Sequence, residues 1–249
     1  MKGVWHGRRP RKQDNLLAQE IIQAEIADGH DNAIARAYLG FVLAMDLSWG
    51  FSERSPMELL PMAFQSAMAA VAQDPNDEIA RALMAAVCWM AGDHEKAISE
   101  AELAIQLNAN SNLGHIMLGY ALAFSGPEHL EAALASLKRA IRIGPRDDEV
   151  PQIHAFMGVA HFVANQYETA EMHCRKSLEL DPAQSSPARV LTSIMGHTGR
   201  IEEGLGMWDC AIERTFDLDV YKQTLFRLYK NNADAERLLA GLRLVGAPV

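Results

Sequence analysis

Two stretches of the chain share one layout although they lie 73 residues apart. Residues 92 to 112 read GDHEKAISEAELAIQLNANSN, and residues 165 to 185 read NQYETAEMHCRKSLELDPAQS. Each has a turn, an aromatic residue or histidine, Glu, Ala, a small residue seven positions later, and Leu-Asn or Leu-Asp before Ala or Pro. A layout that recurs in this way indicates an internal repeat, which constrains the fold more strongly than any local motif.

The hydrophobic periodicity predicts that the repeated element is helical. Apolar residues recur at spacings of three and four along nearly the whole chain, and alternating β-branched runs are few. Segments rich in Gly, Pro, Asp and Asn divide the chain into helices of roughly 11 to 16 residues. Ser55, Pro56 and Glu58 predict a capping box with proline in the first turn, so we expect a helix to begin there.

Small residues occupy three fixed offsets in each pair of consecutive predicted helices. Two antiparallel helices approach closely only where the crossing residues lack bulk, so these offsets predict five helix hairpins. The positions are Gly40, Ala63, Ala70, Ala85, Ala97, Ala104, Gly119, Ala133, Ala140, Gly158, Ala170, Ser177, Thr192, Gly204 and Ala211.

This pattern resembles the tetratricopeptide repeat, a 34-residue helix-turn-helix unit. Residues 117 to 145 carry its Leu118-Gly119 pair, its two alanines and its closing Pro145, with two additional residues at GPEH. The resemblance implies an all-α, right-handed α-solenoid of about five helix pairs over residues 14–217. It further implies capping helices within 218–249, near 219–231 and 234–245, after a basic arm or frayed helix at 1–13.

A narrower resemblance concerns the order of the segments between the helices. A leading half-repeat, the Trp49-Gly50 loop, DPND, LNANS, GPRDDEVP and the ending DAERLLAGLRLVGAP are similar to the repeat arrays that follow bacterial class III nucleotide cyclase domains. That resemblance implies a regulatory or sensor region of a cyclase-type signalling system. The sequence has no segment that resembles the catalytic domain. We therefore expect either a free-standing relative of these arrays or a fragment of a longer signalling protein.

The charge distribution argues against nucleic acid as the main partner. The net charge is −9, and residues 1 to 12 hold five Lys or Arg and no acid, so the remaining chain is five charges more negative, at −14. Such a body is a poor electrostatic match for nucleic acid or anionic lipid. A nucleic-acid-associated regulator that uses the basic arm remains an alternative.

No residue pattern predicts catalysis, a metal or another cofactor. Cys88, Cys174 and Cys210 form no CxxC pair and are expected to be reduced core residues of a cytoplasmic protein. The sequence has no GxxxxGK[ST], GxSxG or HExxH motif. His154, His161 and His173 are candidate metal ligands, but we assign them to packing between helices.

The resemblance instead predicts a partner-binding groove on the first helix of each pair. Its matching residues are apolar and lack the Lys and Asn that grip a carboxylate terminus in chaperone-binding relatives, so we expect an apolar or amphipathic partner segment. A groove filled by the chain itself or by self-association is the alternative. Trp89, Tyr120 and Phe124 should form one aromatic patch. The predicted groove residues are Ile34, Phe41, Met45, Ile79, Trp89, Met90, Leu113, Ile116, Tyr120, Phe124, Val159 and Phe162.

Overall fold

A computed structural model describes residues 12–211 and 218–249, with side chains at 12–209 and 218–249. Every regular element of this part of the chain is helical, which confirms the all-α prediction. A single 3₁₀ turn, Pro127–His129, precedes α7. The α-helices of the described residues are α1 Lys12–Ala27, α2 Ala33–Trp49, α3 Pro56–Gln73, α4 Glu78–Met90, α5 His94–Leu107, α6 Asn112–Ala123, α7 Leu130–Ile143, α8 Val150–Val163, α9 Tyr167–Leu180, α10 Ser185–His197, α11 Ile201–Ala211, α12 Leu218–Leu228 and α13 Asn232–Leu244.

Polar side chains fix where the early helices begin. Asn32 precedes α2, and its side chain accepts a hydrogen bond from the amide of Ala35 at 3.0 Å, which satisfies one of the free donors of a helix N-terminus. The amide of Ser55 donates to Glu58 Oε2 at 2.9 Å at the start of α3. The predicted capping box is therefore formed, with Pro56 as the first helical residue.

The described chain divides into two compact units. Unit 1 contains residues 12–121 together with Asp219–Leu228, and unit 2 contains residues 122–211, Leu218 and Tyr229–Val249. Unit 1 holds the helix pairs α2/α3 and α4/α5, with α1 packed on α2. Unit 2 holds the pairs α8/α9 and α10/α11, with α7 packed on α8 and α13 packed on α10. The pairs are antiparallel and of the tetratricopeptide type.

Small residues lie where the paired helices cross. A Cβ atom built on Gly40 would lie 2.9 Å from the carbonyl oxygen of Ala63, and one built on Gly158 would lie 2.4 Å from Cys174 Sγ. Every predicted crossing residue whose side chain is described is buried; Ala211 lies outside the described side chains. Close approach of α2 to α3 and of α8 to α9 therefore requires the small residues, as the pattern predicts.

A buried carboxylate holds the long loop that interrupts the first helix pair. Asp46 is fully buried near the end of α2. Its carboxylate accepts hydrogen bonds from the amide of Ser52 at 2.7 Å, from Gln19 Nε2 at 3.1 Å and from Arg54 Nη2 at 2.9 Å. These bonds tie the loop to α1 and α2, because a buried carboxylate must be paired to offset its lost hydration.

The described cysteines are buried and reduced. Burial raises the pKa of the Cys88 thiol to about 12 and raises that of Cys174 even further above its usual range. Both are therefore thiols at neutral pH, and only the thiolate form is reactive. Cys210 and most of the predicted basic arm lie outside the described side chains.

Among the helices of the described residues, none combines the length and apolarity that crossing a bilayer requires. The predicted boundaries between arm, array and capping helices stay a prediction.

Candidate protein-binding surface

Eleven of the twelve predicted groove residues lie on first helices, Phe124 follows the end of α6 directly, and the twelve differ in exposure. Four of them, Ile34, Phe41, Ile79 and Leu113, are half-buried and belong to unit 1. These four retain apolar surface that is open to solvent. The other eight are buried, namely Met45, Trp89, Met90, Ile116, Tyr120, Phe124, Val159 and Phe162.

Three of the half-buried residues meet in one place. Phe41 of α2, Ile79 of α4 and Leu113 of α6 pack, together with Tyr38 of α2 and Val71 of α3, against a cluster of buried residues from unit 1. The cluster contains Ala37, Ala70, Ala80 and Leu83. We call Tyr38, Phe41, Ile79 and Leu113 the unit 1 face. Its four side chains come from three different first helices and pack against the same buried cluster.

The predicted aromatic residues find ring partners within each unit. In unit 1 the rings of Trp89 and Tyr120 lie 5.9 Å apart at 59°. In unit 2 the Phe124 ring makes edge contacts with Phe156 at 5.5 Å and with Tyr229 at 4.7 Å. Tilted and edge contacts at these distances stabilise aromatic pairs beyond the area that they bury.

Helix α12 lies at the C-terminal ends of the first helices of unit 1. Thr224 Oγ1 donates to the carbonyl oxygen of Ser48 at 2.8 Å. Arg227 donates through Nε to the carbonyl of Met90 at 2.8 Å and through Nη2 to the carbonyl of Leu47 at 3.2 Å. The last carbonyls of a helix have no partner within the helix and carry partial negative charge, so a guanidinium there is favourable.

Helix α13 makes a similar contact in unit 2. Arg237 Nη2 donates to the carbonyl oxygens of Phe162 and Val163, both at 3.1 Å, at the end of α8. Its guanidinium also lies 5.1 Å from the centre of the Phe162 ring and pairs with Asp234 at 2.8 Å. An arginine from each of the two last helices thus caps first helices of its own unit.

Sequence reasoning missed these two arginines. They lie ten residues apart in helices that carry apolar residues at spacings of three and four. A cation on the apolar side of an amphipathic helix was the available signal, because such a group needs acceptors at the surface that the helix covers.

Three histidines of unit 2, from α8 and α9, lie close together. His154 Nδ1 lies 3.2 Å from His173 Nδ1, and the His161 ring stacks on His173 at 5.5 Å. His161 Nδ1 lies 2.7 Å from Gln166 Oε1, so a partner other than a metal occupies that nitrogen. In the described part of the chain, no group of three or more His, Cys, Asp or Glu is arranged to hold a metal ion.

The helix pairs, the small residues at their crossings and the apolar face on the first helices define a fold of the tetratricopeptide type. Solved structures bear this out. A thermophilic tetratricopeptide repeat protein of Thermus thermophilus aligns with 77% of this chain and 98% of its own, at 20% identity and a TM-score of 0.59. PilW, described as a widely conserved type IV pilus biogenesis factor, aligns over 85% of this chain and 98% of its own, at 18% identity and a TM-score of 0.57.

A tetratricopeptide repeat protein from Parabacteroides merdae aligns over 94% of this chain and 93% of its own, at 13% identity and a TM-score of 0.53. No protein-family model and no curated protein sequence matches the chain. The similar structures establish the fold and leave the resemblance to cyclase-associated arrays a prediction.

Proposed function

We propose that this protein is a non-catalytic scaffold that binds an apolar or amphipathic segment of a partner protein through the first helices of unit 1. The observation that carries the proposal is the packing of the half-buried Phe41, Ile79 and Leu113, from three first helices, against one buried cluster. Repeat folds of this kind present such surfaces to protein partners.

The buried groove residues are not expected to contact the partner in this proposal. Met45, Trp89 and Met90 lie toward the C-terminal ends of α2 and α4, whereas Ile79 and Leu113 lie near the N-terminal ends of α4 and α6. We infer that a partner segment contacts the open N-terminal part and that the buried residues hold the helices in register beneath it.

Site-specific crosslinking tests the proposal. A photoreactive phenylalanine analogue at position 41 should crosslink a protein from lysate of the source cells. The same analogue in place of Met172, an exposed apolar residue of α9 in unit 2, is the control. We expect a product at position 41 that is lost when Leu113→Ala is added. Equal products at the two positions would contradict binding at the unit 1 face.

A further inference from the structure

Helix α12 is supplied to unit 1 by chain that otherwise belongs to unit 2. Asp219–Leu228 is part of unit 1, while residues 122–218 before it and 229–249 after it belong to unit 2. Unit 1 therefore takes up a helix that its own continuous chain, residues 12–121, does not provide. A helix held in this way occupies its site as a helical ligand occupies a groove.

Two side chains of α12 donate hydrogen bonds to the first helices of unit 1. Thr224 donates to Ser48, and Arg227 donates to Met90 and Leu47, each time to a backbone carbonyl at the end of a first helix. Backbone carbonyls accept from any helix that brings donors to the same positions. The site thus selects its occupant by the donors that the occupant carries.

The glycines at these helix ends make room for α12. Gly50 has φ +61°, and a Cβ atom on it would lie 3.1 Å from Val220 Cγ1. Gly92 has φ +87°, and a Cβ atom on it would lie 2.9 Å from the carbonyl oxygen of Arg227. Glycine therefore serves at both positions as the residue that adopts this conformation and as the residue that lets a helix backbone approach.

The charges of unit 1 and of α12 are complementary. Residues 12–121 contain five Lys or Arg and fifteen Asp or Glu, a net charge of −10. Residues 218–228, which form α12, contain Lys222 and Arg227 against the single acid Asp219, a net charge of +1. A strongly acidic body attracts a cationic helix and rejects an acidic one.

The buried apolar residues of α12 define what else a helix at this site must carry. Tyr221, Leu225 and Leu228 are buried at spacings of four and three, on the same side of the helix as Thr224. The occupant is thus a short cationic helix with apolar residues at positions 1, 5 and 8, a hydroxyl donor at position 4 and an arginine at position 7.

We propose that the C-terminal ends of α2 and α4 form a docking site for a cationic amphipathic helix of a partner protein, and that α12 is an internal occupant which such a helix displaces. The inference rests on the proposed scaffold function and names the chemistry of one partner segment. The partner helix carries the α12 pattern of apolar residues, a hydroxyl and an arginine.

Binding of a synthetic peptide of residues 218–231 tests the inference. The receptor is the full chain carrying Thr224→Val and Arg227→Met, which weakens its own α12 and leaves α2 and α4 unchanged. We expect the labelled peptide to bind this variant at least tenfold more tightly than the wild-type chain, because α12 competes in wild type at an effective concentration in the millimolar range. A peptide with Arg227→Met should bind at least tenfold more weakly.

Hydrogen exchange on the wild-type chain provides a measurement that does not depend on folding of the variant. At millimolar peptide, the amides of 218–228 should lose protection while those of α2 keep theirs. The inference is overturned if this protection is unchanged and the variant fails to bind the peptide, or if both peptides bind alike. A wild-type dimer that forms by exchange of α12 would assign the site to a second copy and overturn the partner assignment.

The outcomes also separate this inference from the scaffold function. Once a partner is captured at position 41, the 218–231 peptide should compete with its binding. If Leu113→Ala prevents partner binding but the 218–231 peptide does not compete with it, the scaffold function stands and the docking site is contradicted. If the peptide binds but no partner is captured at the unit 1 face, the site for a helix stands and partner binding at the unit 1 face is contradicted.

Discussion

Arg227 Nε lies 2.8 Å from the carbonyl oxygen of Met90, a residue 137 positions earlier in the chain. The guanidinium is half-buried, and burial lowers its pKa from the usual value. A cation that gives up hydration needs strong acceptors, and the ends of two first helices provide them. This bond joins the C-terminal part of the chain to the first helices of unit 1.

Arg227→Met should therefore loosen α12. The substitution keeps the aliphatic stem and removes the donors, leaving the carbonyls of Leu47 and Met90 without them. We expect the free energy of unfolding to fall by about 1 to 3 kcal/mol, measured by urea denaturation. The exposed Arg146→Met is the control and should change it by less than about 0.5 kcal/mol. Equal effects of the two substitutions would show that the helix-end bonds contribute nothing.

A pair of glycine substitutions in unit 2 tests the close helix contacts. A Cβ atom on Gly196 would lie 2.0 Å from the carbonyl oxygen of Gly241, so Gly196→Ala must force α10 and α13 apart. We expect it to destabilise the protein by about 1 to 3 kcal/mol. Gly206, in α11, has no atom within 4 Å of the corresponding position, so Gly206→Ala should stabilise by about 0.5 to 1 kcal/mol. Thermal unfolding of both variants gives the comparison.

The histidine cluster of unit 2 predicts loss of stability in mild acid. Burial, followed by the neighbouring His154 and His161 and by Lys138, lowers the pKa of His173 to about 4, and burial with Lys176 lowers the pKa of His154. The folded state thus binds fewer protons than the unfolded state between about pH 4 and the unperturbed histidine pKa of about 6.5. The cluster's contribution is complete above that range and declines as the pH falls through it.

Urea denaturation at pH 7 and pH 5 measures this effect. The free energy of unfolding of the wild-type protein should fall by about 1 to 2 kcal/mol between pH 7 and pH 5. This value is reduced to allow for the partial exposure of the rings. His173→Gln should lose clearly less. His30→Gln, at an exposed position, should behave as wild type. An unchanged slope in the His173 variant would show that the cluster does not control the pH response.

Trp89 and Phe41 should respond differently to truncation. Trp89 is 6% exposed and contacts Tyr120, so Trp89→Ala should cost about 3 to 5 kcal/mol, as for a core aromatic residue. Phe41 is half-buried, and Phe41→Ala should cost less. Met68→Ala, at a residue of α3 that is 57% exposed, is the control. Melting temperatures of the three variants rank the costs, and an equal loss for Trp89 and Phe41 would place Phe41 in the core.

The helix pairs could be predicted from the sequence because their determinants are local and repeated. Gly40 and Gly158 recur at one offset, and the structure places each against the second helix of its pair. The placement of α12 could not be predicted, since it depends on bonds from Thr224 and Arg227 to backbone carbonyls, which every residue possesses.

The candidate surface could also be predicted only in part. The resemblance to the tetratricopeptide repeat indicated one side of each first helix, and Phe41, Ile79 and Leu113 of that side pack against one buried cluster. Exposure could not be derived, because periodicity gives the same signal for a residue covered by another helix and for one open to solvent. Asp46 was missed for a related reason: its partners Gln19 and Arg54 come from separate segments.

The measurement that tests the scaffold account most directly is the affinity of the captured partner for Phe41→Ala, with the melting temperature of the same variant. Truncation of an aromatic anchor at an interface often costs about 2 kcal/mol or more, which corresponds to about thirtyfold in Kd. Titration calorimetry with the purified partner should show Kd raised about thirtyfold or more for Phe41→Ala and unchanged for the control Met172→Ala, while the free variant stays folded. An unchanged Kd in a folded Phe41→Ala protein would contradict binding at the unit 1 face.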